Sequence, residues 1–151
     1  MKRKRLLSSH TKGTVQTIES LLEIVLLSVI YYLIFRLIYS DIDKGLHPYS
    51  GKGKYVLTGI YAVLSYLTIK NSDGFQFGQL RKADLLVAQW IAMLLVNAIT
   101  YFQLSLMATH LIDPRPMLLL MVIDVVVISV YIVLMKVLIL ILIHIALLMV
   151  L

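Results

Sequence analysis

The chain has 151 residues, of which 60% are hydrophobic and only 15% are charged, and its mean hydropathy is +0.92. Soluble domains contain about 45–50% hydrophobic and about 25% charged residues, and a globule this small cannot bury such an apolar excess. The composition therefore excludes a soluble domain and predicts a membrane protein. Although the net charge is +6, the basic residues flank apolar segments, so we expect lipid contacts and no nucleic acid partner. The absence of cysteine excludes disulfides, thiolate metal sites and cysteine nucleophiles.

Apolar segments joined by short loops predict an all-α polytopic membrane protein with four transmembrane helices. Helices satisfy every backbone hydrogen bond in lipid, and the segments lack the two-residue alternation of a membrane barrel. A basic segment precedes the transmembrane domain, and an atypical apolar tail follows it, which we expect to lie along the interface or to prolong the last helix. The boundaries are 1–17 for the basic segment, 18–39, 55–69, 84–108 and 117–136 for the spans within 18–136, and 137–151 for the tail.

Lysine and arginine are distributed unevenly between the two sets of polar segments. The N-terminal segment and the second loop are richer in these residues than the first and third loops, and positively charged segments stay in the cytosol. With four spans, this places both ends of the chain in the cytosol. The richer set is Lys2, Arg3, Lys4, Arg5, Lys12, Lys70, Arg81 and Lys82, and the poorer set is Lys44, Lys52, Lys54 and Arg115.

No sequence motif for catalysis or cofactor binding is present. The chain has no phosphate-binding loop, no dinucleotide-binding glycine pattern and no nucleophile elbow. Its four histidines are far apart, with no carboxylate at metal-ligand spacing. We therefore predict no catalytic residue, no cofactor and no metal site in this chain.

Four charged residues of the spans are candidates for function. Glu19 and Glu23 share one helix face, which suits either a proton- or cation-binding role or, as we favour, an interfacial position near a helix N-terminus. Arg36 and Asp124 lie ~6 Å and ~10 Å inside the outer boundary at helical rise, which predicts an intramembrane ion pair. The alternative is that Arg36 extends alone to the headgroups, with Asp124 protonated or bonded to the third span.

The third span and the second loop contain further polar candidates. We expect the polar residues of the third span to form hydrogen bonds between helices, with a substrate path as the alternative. In the second loop Phe75 and Phe77 alternate with polar residues, which suits rings in the headgroups and cations on lipid phosphates. The helix–helix candidates are Gln89, Asn97, Thr100 and Gln103, and the phosphate candidates are Lys70, Arg81 and Lys82.

Two segments resemble a known family. They read Ser72-Asp73-Gly74-Phe75-Gln76-Phe77-Gly78-Gln79-Leu80-Arg81, after the short second span, and Asn97-Ala98-Ile99-Thr100-Tyr101-Phe102-Gln103, in the third span. Over about 18–135 the chain resembles the N-terminal membrane region of bacterial polyprenyl-phosphate hexose-1-phosphate transferases, which initiate exopolysaccharide or capsule synthesis. The resemblance implies four spans in the bacterial inner membrane. It also implies that transfer of a sugar phosphate onto undecaprenyl phosphate belongs to a C-terminal domain with no counterpart here.

The resemblance therefore implies a membrane-anchoring domain of such a transferase, inactive alone, that self-associates or presents the lipid carrier. The implied partners are membrane lipid, undecaprenyl phosphate, and a second copy of this chain or other polysaccharide-assembly proteins. The alternative is a small four-helix transporter or lipid flippase that acts as a dimer, with Glu19, Glu23 or Asp124 as its coupling group. A non-functional gene remnant is the third hypothesis.

Overall fold

The computed structural model of the protein describes residues 2–39, 52–75 and 81–150, and all regular secondary structure in these ranges is helical. This confirms the all-α prediction for the described residues. Most of the first loop and residues 76–80 of the second loop lie outside them. The helices are α1 (Lys2–Ile34, extended by a π-helical turn at Phe35–Tyr39), α2 (Gly53–Asn71), α3 (Lys82–Ala108) and α4 (Arg115–Val150).

Three of the helices are long and apolar enough to cross a membrane, namely α1 over Gln16–Ile38, α3 over Lys82–Ala108 and α4 over Arg115–Val150. The 19-residue α2 is not among them. Large apolar side chains cover the outward faces of the three helices, and a continuous apolar surface of this kind suits lipid and not water. The three helices indicate a multi-pass membrane protein.

The four helices pack as a closed ring. Each helix packs against the next one in the sequence, and α4 packs against α1. Neighbours run antiparallel: Tyr31 of α1 stacks on Tyr61 of α2, whereas Gln16, earlier in α1, donates a hydrogen bond to the Phe75 carbonyl beyond the end of α2. The fold is an up-down-up-down four-helix bundle.

The buried face of α2 shows how the sequence builds the core. Leu57, Tyr61, Ser65 and Ile69 recur every fourth residue and are the buried residues of this helix, because positions four apart lie on one face. The buried faces of α3 and α4 likewise mix apolar residues with Gln89, Asn97 and Asp124. The bundle therefore contains polar groups at membrane depth.

The last helix is longer than a membrane is thick. α4 has 36 residues and continues without a break past Lys136 to Val150, so the predicted tail prolongs the helix. A helix of this length spans ~54 Å, against a hydrocarbon thickness of ~30 Å. From Leu140 to Val150 every residue is exposed, and the bundle therefore packs only the first part of α4.

Candidate functional site

Buried polar side chains form two layers in the bundle. The tyrosine layer consists of Tyr31, Tyr61, Asn97 and Asp124, and the glutamate layer consists of Glu23, Gln89 and the Gly74 carbonyl. On α3, Gln89 precedes Asn97 by eight residues, and on α1 Glu23 precedes Tyr31 by eight. At helical rise the layers therefore lie ~12 Å apart along the bundle axis.

In the tyrosine layer a buried carboxyl group receives two hydrogen bonds at one oxygen. Asp124 Oδ2 accepts from the Tyr61 hydroxyl at 3.0 Å and from Asn97 Nδ2 at 2.9 Å. The Tyr31 ring stacks on Tyr61 with centroids 4.2 Å apart and planes 8° apart, which fixes the position of that hydroxyl. Asp124 is 0% exposed, and its Oδ1 has no hydrogen-bond partner among the described residues.

In the glutamate layer one carboxamide joins three parts of the chain. Gln89 Nε2 donates to Glu23 Oε2 at 3.2 Å and to the Gly74 carbonyl at 2.6 Å, which uses both of its protons. Glu23 is 1% exposed and Gln89 is 0% exposed. In the part of the chain that the structure describes, Glu23 Oε1 and Gln89 Oε1 are buried without a partner. This layer therefore has two acceptor oxygens and no donor for them.

The turn after α2 places the Gly74 carbonyl in this layer. The amides of Ser72, Asp73 and Gly74 donate to the carbonyls of Thr68, Lys70 and Ile69, respectively, which caps the helix. Asp73 adopts the left-handed conformation with φ of 57°. A glycine is required at 74 because a Cβ there would lie 2.7 Å from Ile69 Cγ2 and 2.9 Å from Gln89 Cγ.

The structure corrects the expected position of Glu19 and Glu23. α1 begins at Lys2, so neither carboxylate lies near a helix N-terminus, and both face the bundle, with 7% and 1% of their surface exposed. Tyr131 of α4 packs at this level and donates its hydroxyl to the Glu19 backbone carbonyl at 2.6 Å. The expected helix N-terminus at these residues was wrong because the helix extends through the polar residues that precede the apolar segment. Their expected position at the membrane interface stays a prediction.

Arg36 and Asp124 occupy different surroundings. The Arg36 side chain is exposed on the π-helical turn, five residues beyond the Tyr31 that marks the tyrosine layer. Asp124 accepts hydrogen bonds from Tyr61 and Asn97, in keeping with the alternative that the carboxyl group is bonded to the third span. The ion pair between Arg36 and Asp124 stays a prediction.

The predicted phosphate contacts lie at one end of the bundle. Lys70 lies in the last turn of α2, Lys82 begins α3 and Arg81 directly precedes it. All three side chains are exposed. Phe75, predicted among the headgroups, is instead 8% exposed and packs against Tyr66 with ring centroids 5.7 Å apart, because the turn folds it back over α2. Phe77 lies outside the described residues. A groove of about 500 Å³ at this end is lined by Gln16, Thr17, Ser20, Tyr66, Lys70, Asp73 and Phe75.

The four polar candidates of α3 have different roles. Gln89 and Asn97 form hydrogen bonds to other helices, Thr100 donates to the Val96 carbonyl of its own helix at 2.8 Å, and Gln103 is half-buried. Tyr61 and Gly74 were not among the residues predicted for the site. Tyr61 could have been found from the four-residue recurrence of Leu57, Tyr61, Ser65 and Ile69, but no sequence signal links Gly74 to Gln89.

In the described ranges, no group of three or more His, Asp or Glu side chains is placed to bind a metal ion. Comparison of the chain with protein-family models, curated proteins and solved structures gives no match. The function is therefore inferred from the two polar layers and the basic end of the bundle.

Proposed function

We propose that this chain is the membrane domain of a polyprenyl-phosphate sugar-phosphate transferase, which anchors the enzyme and presents undecaprenyl phosphate. The observation that carries the proposal is the groove at the basic end, where Lys70 lies beside the polar side chains of α1. Arg81 and Lys82 are exposed at the same end. Cations beside an apolar surface are the chemistry that recognises a lipid phosphate.

The proposal includes four membrane crossings in a bacterial inner membrane, with both ends of the chain in the cytosol. Support for α2 as the fourth span comes from its outward face, on which Val56, Ile60, Val63 and Leu67 are exposed. Its 19 residues correspond to ~28 Å at helical rise, close to the hydrocarbon thickness. The basic ends of α2 and α3 then face the cytosol.

Binding of the lipid carrier tests the proposal. The chain purified in detergent is titrated with undecaprenyl phosphate and, separately, with undecaprenol, which lacks the phosphate. We expect binding of the phosphate form, weakened on the order of 100-fold in the triple variant Lys70→Gln, Arg81→Gln, Lys82→Gln, if each cation contributes about 1 kcal/mol. Lys54→Gln, at the opposite end of α2, is the matched control. Equal binding of both lipids, or no effect of the triple variant, would contradict the proposal.

The catalytic part of the proposal has its own assay. In the family that the chain resembles, sugar-phosphate transfer belongs to a separate domain. With a nucleotide sugar and undecaprenyl phosphate, the purified chain should therefore release no nucleoside monophosphate above the blank. Release by this chain would show that it carries the reaction itself.

A second candidate function is proton-coupled transport by a dimer, and the burial of Glu23 and Asp124 favours it. Carboxyl groups at membrane depth are expensive and mark ion or proton pathways in many transporters. Proteoliposomes loaded with a pH-sensitive dye test this function. Proton uptake that is abolished by Glu23→Gln or Asp124→Asn would favour transport. If the vesicles are impermeable to protons and show no uptake, the anchoring function is favoured.

A further inference from the structure

Two buried oxygens of the glutamate layer have no hydrogen-bond donor. They belong to the Glu23 carboxyl group and the Gln89 amide, which already share one hydrogen bond. Gln89 Nε2 donates to Glu23 Oε2 at 3.2 Å, and the atoms without partners are Glu23 Oε1 and Gln89 Oε1. Both side chains are more than nine-tenths buried, and a buried acceptor without a donor is costly. In a cyclic pair of a carboxylic acid and a primary amide, the acid proton is donated to the amide oxygen, and such a proton would satisfy both oxygens at once.

From this geometry we propose that Glu23 and Gln89 form a proton-binding site. The proton is held on Glu23 Oε1 and is donated to Gln89 Oε1, while Gln89 Nε2 donates to Glu23 Oε2, which completes the cyclic pair of a carboxylic acid and a primary amide. The second proton of Nε2 remains on the Gly74 carbonyl, 2.6 Å away. Every donor and acceptor of the three groups is then used. The inference concerns the side chains of this chain and rests on neither proposed function.

The surroundings favour a proton over a metal cation. Two other titratable groups lie at this level of the bundle, namely Glu19, one turn earlier on α1, and Tyr131 on α4, which donates its hydroxyl to the Glu19 carbonyl. At the mouth of the groove, Lys70 and Asp73 are exposed. On α3 the facing group is Gln89, which is neutral. Two oxygens are too few for the six or more ligands of a hard cation such as Mg²⁺ or Ca²⁺, whereas they suit one hydrogen bond.

Loss of this proton would act on the turn after α2. Two acceptor oxygens would then be left without a donor, and the Glu23–Gln89 pair would have to leave its present geometry, in which Nε2 also donates to the Gly74 carbonyl. The Gly74 carbonyl would lose its donor, and the Ser72 to Phe75 turn would loosen. This turn contributes Asp73 and Phe75 to the groove at the basic end, so proton occupancy and the shape of the groove are linked.

Infrared spectroscopy of the full chain in H₂O and D₂O tests the proton directly. We expect a carbonyl band of a hydrogen-bonded carboxylic acid that moves on deuteration, that is absent in Glu23→Gln and that is retained in Glu19→Gln and Asp124→Asn. Glu23→Gln should keep the wild-type thermal midpoint, because its amide N–H replaces the acid O–H, whereas Glu23→Leu should lower it by several degrees. If Glu23→Gln removes carboxylate bands and leaves every acid band in place, the proposal is wrong.

Two further measurements keep the proposal falsifiable. The double variant Glu23→Gln, Gln89→Glu exchanges the acid and the amide, and it should restore the infrared band of a carboxylic acid. Its thermal midpoint should be lower than that of the wild type because the Gly74 carbonyl loses its donor. Replacing choline by Na⁺ or K⁺ at constant ionic strength should leave the midpoint of the wild type unchanged. A shift with Na⁺ or K⁺ that Glu23→Gln abolishes would identify a metal cation as the ligand and overturn the proton assignment.

Discussion

At the residue scale, α3 presents the same chemistry twice, with a carboxamide facing a carboxyl group in each layer. Gln89 bonds Glu23 of α1, and Asn97 bonds Asp124 of α4. A carboxamide is uncharged, donates two N–H groups and can accept a hydrogen bond at its own oxygen. In both layers the donating N–H is supplied without a buried cation. This allows a carboxyl group to remain in the bundle without a lysine or arginine at the same depth.

The close contacts around Gly74 predict the effect of a substitution there on the stability of the protein. We expect Gly74→Ala to destabilise the protein by about 1–3 kcal/mol, the usual cost of overpacking, because the new Cβ would lie 2.7 Å from Ile69 Cγ2. Gly59→Ala is the matched control, since a Cβ there meets nothing within 4 Å, and it should be neutral or stabilising by up to about 1 kcal/mol. Thermal unfolding in detergent measures both. Equal effects of the two substitutions would show that the turn adapts to the extra atom.

The tyrosine layer predicts coupling between Tyr61 and Asp124. Tyr61→Phe removes the hydroxyl that lies 3.0 Å from Asp124 Oδ2, and the loss of one of the two hydrogen bonds to this oxygen should cost about 0.5–1.5 kcal/mol. Combined with Asp124→Ala, the losses should fall short of their sum by at least about 0.5 kcal/mol. A second cycle with Arg36→Ala tests the ion pair predicted from sequence. Strict additivity in that cycle would leave Arg36 and Asp124 independent, and strict additivity in the first would contradict the geometry of the layer.

Part of the candidate site could be predicted from sequence. Gln89 and Asn97 were predicted as helix–helix contacts because an amide in an apolar span must find a hydrogen-bond partner. Their partners could not be predicted, since which side chain faces which depends on the rotation and axial register of four helices. Tyr61 and the Gly74 carbonyl are brought in by packing and by the turn after α2, and both are therefore properties of the fold.

At the element scale, the apolar pattern located the helices but not all of their ends. The predicted spans 55–69 and 84–108 begin and end within two residues of α2 and α3, because Gly53, Asn71 and Lys82 are close to changes from polar to apolar sequence. α1 and α4 extend far beyond the predicted spans, 18–39 and 117–136. Nothing in the sequence near residue 18 or residue 136 breaks a helix, so the apolar pattern did not locate these two helix ends.

The C-terminal part of α4 gives the prediction at this scale. Because every residue from Leu140 to Val150 is exposed, deletion of 137–151 should leave the unfolding temperature of the bundle within the error of the measurement. It should also reduce aggregation in detergent, since an apolar helix outside the bundle is a site of association. Size-exclusion chromatography and thermal unfolding of the truncated chain check the two expectations. Loss of membrane insertion on truncation would show that this segment is needed by the bundle.

At the scale of the whole molecule, the closed ring ties the helices into one unit. Each helix has two neighbours, and the tyrosine layer joins α1, α2, α3 and α4 through the contacts of Tyr31, Tyr61, Asn97 and Asp124. α2 is not apolar enough by itself to be a candidate span, but it packs between α1 and α3. This packing supports the proposal that α2 is the fourth crossing.

The topology of the bundle is the last prediction. Reporter fusions after Lys12, Gln79 and Lys136 should report the cytosol, and fusions within 40–52 and 109–114 should report the outside. The reason is that an up-down-up-down bundle with four crossings returns to the same side after α2 and α4, and the more basic segments stay in the cytosol. If α2 did not cross, fusions at 40–52 and after Gln79 would report the same side, and the fusion after Lys136 would report the side opposite to Lys12. A cytosolic signal from 109–114 would instead reverse the orientation inferred from lysine and arginine.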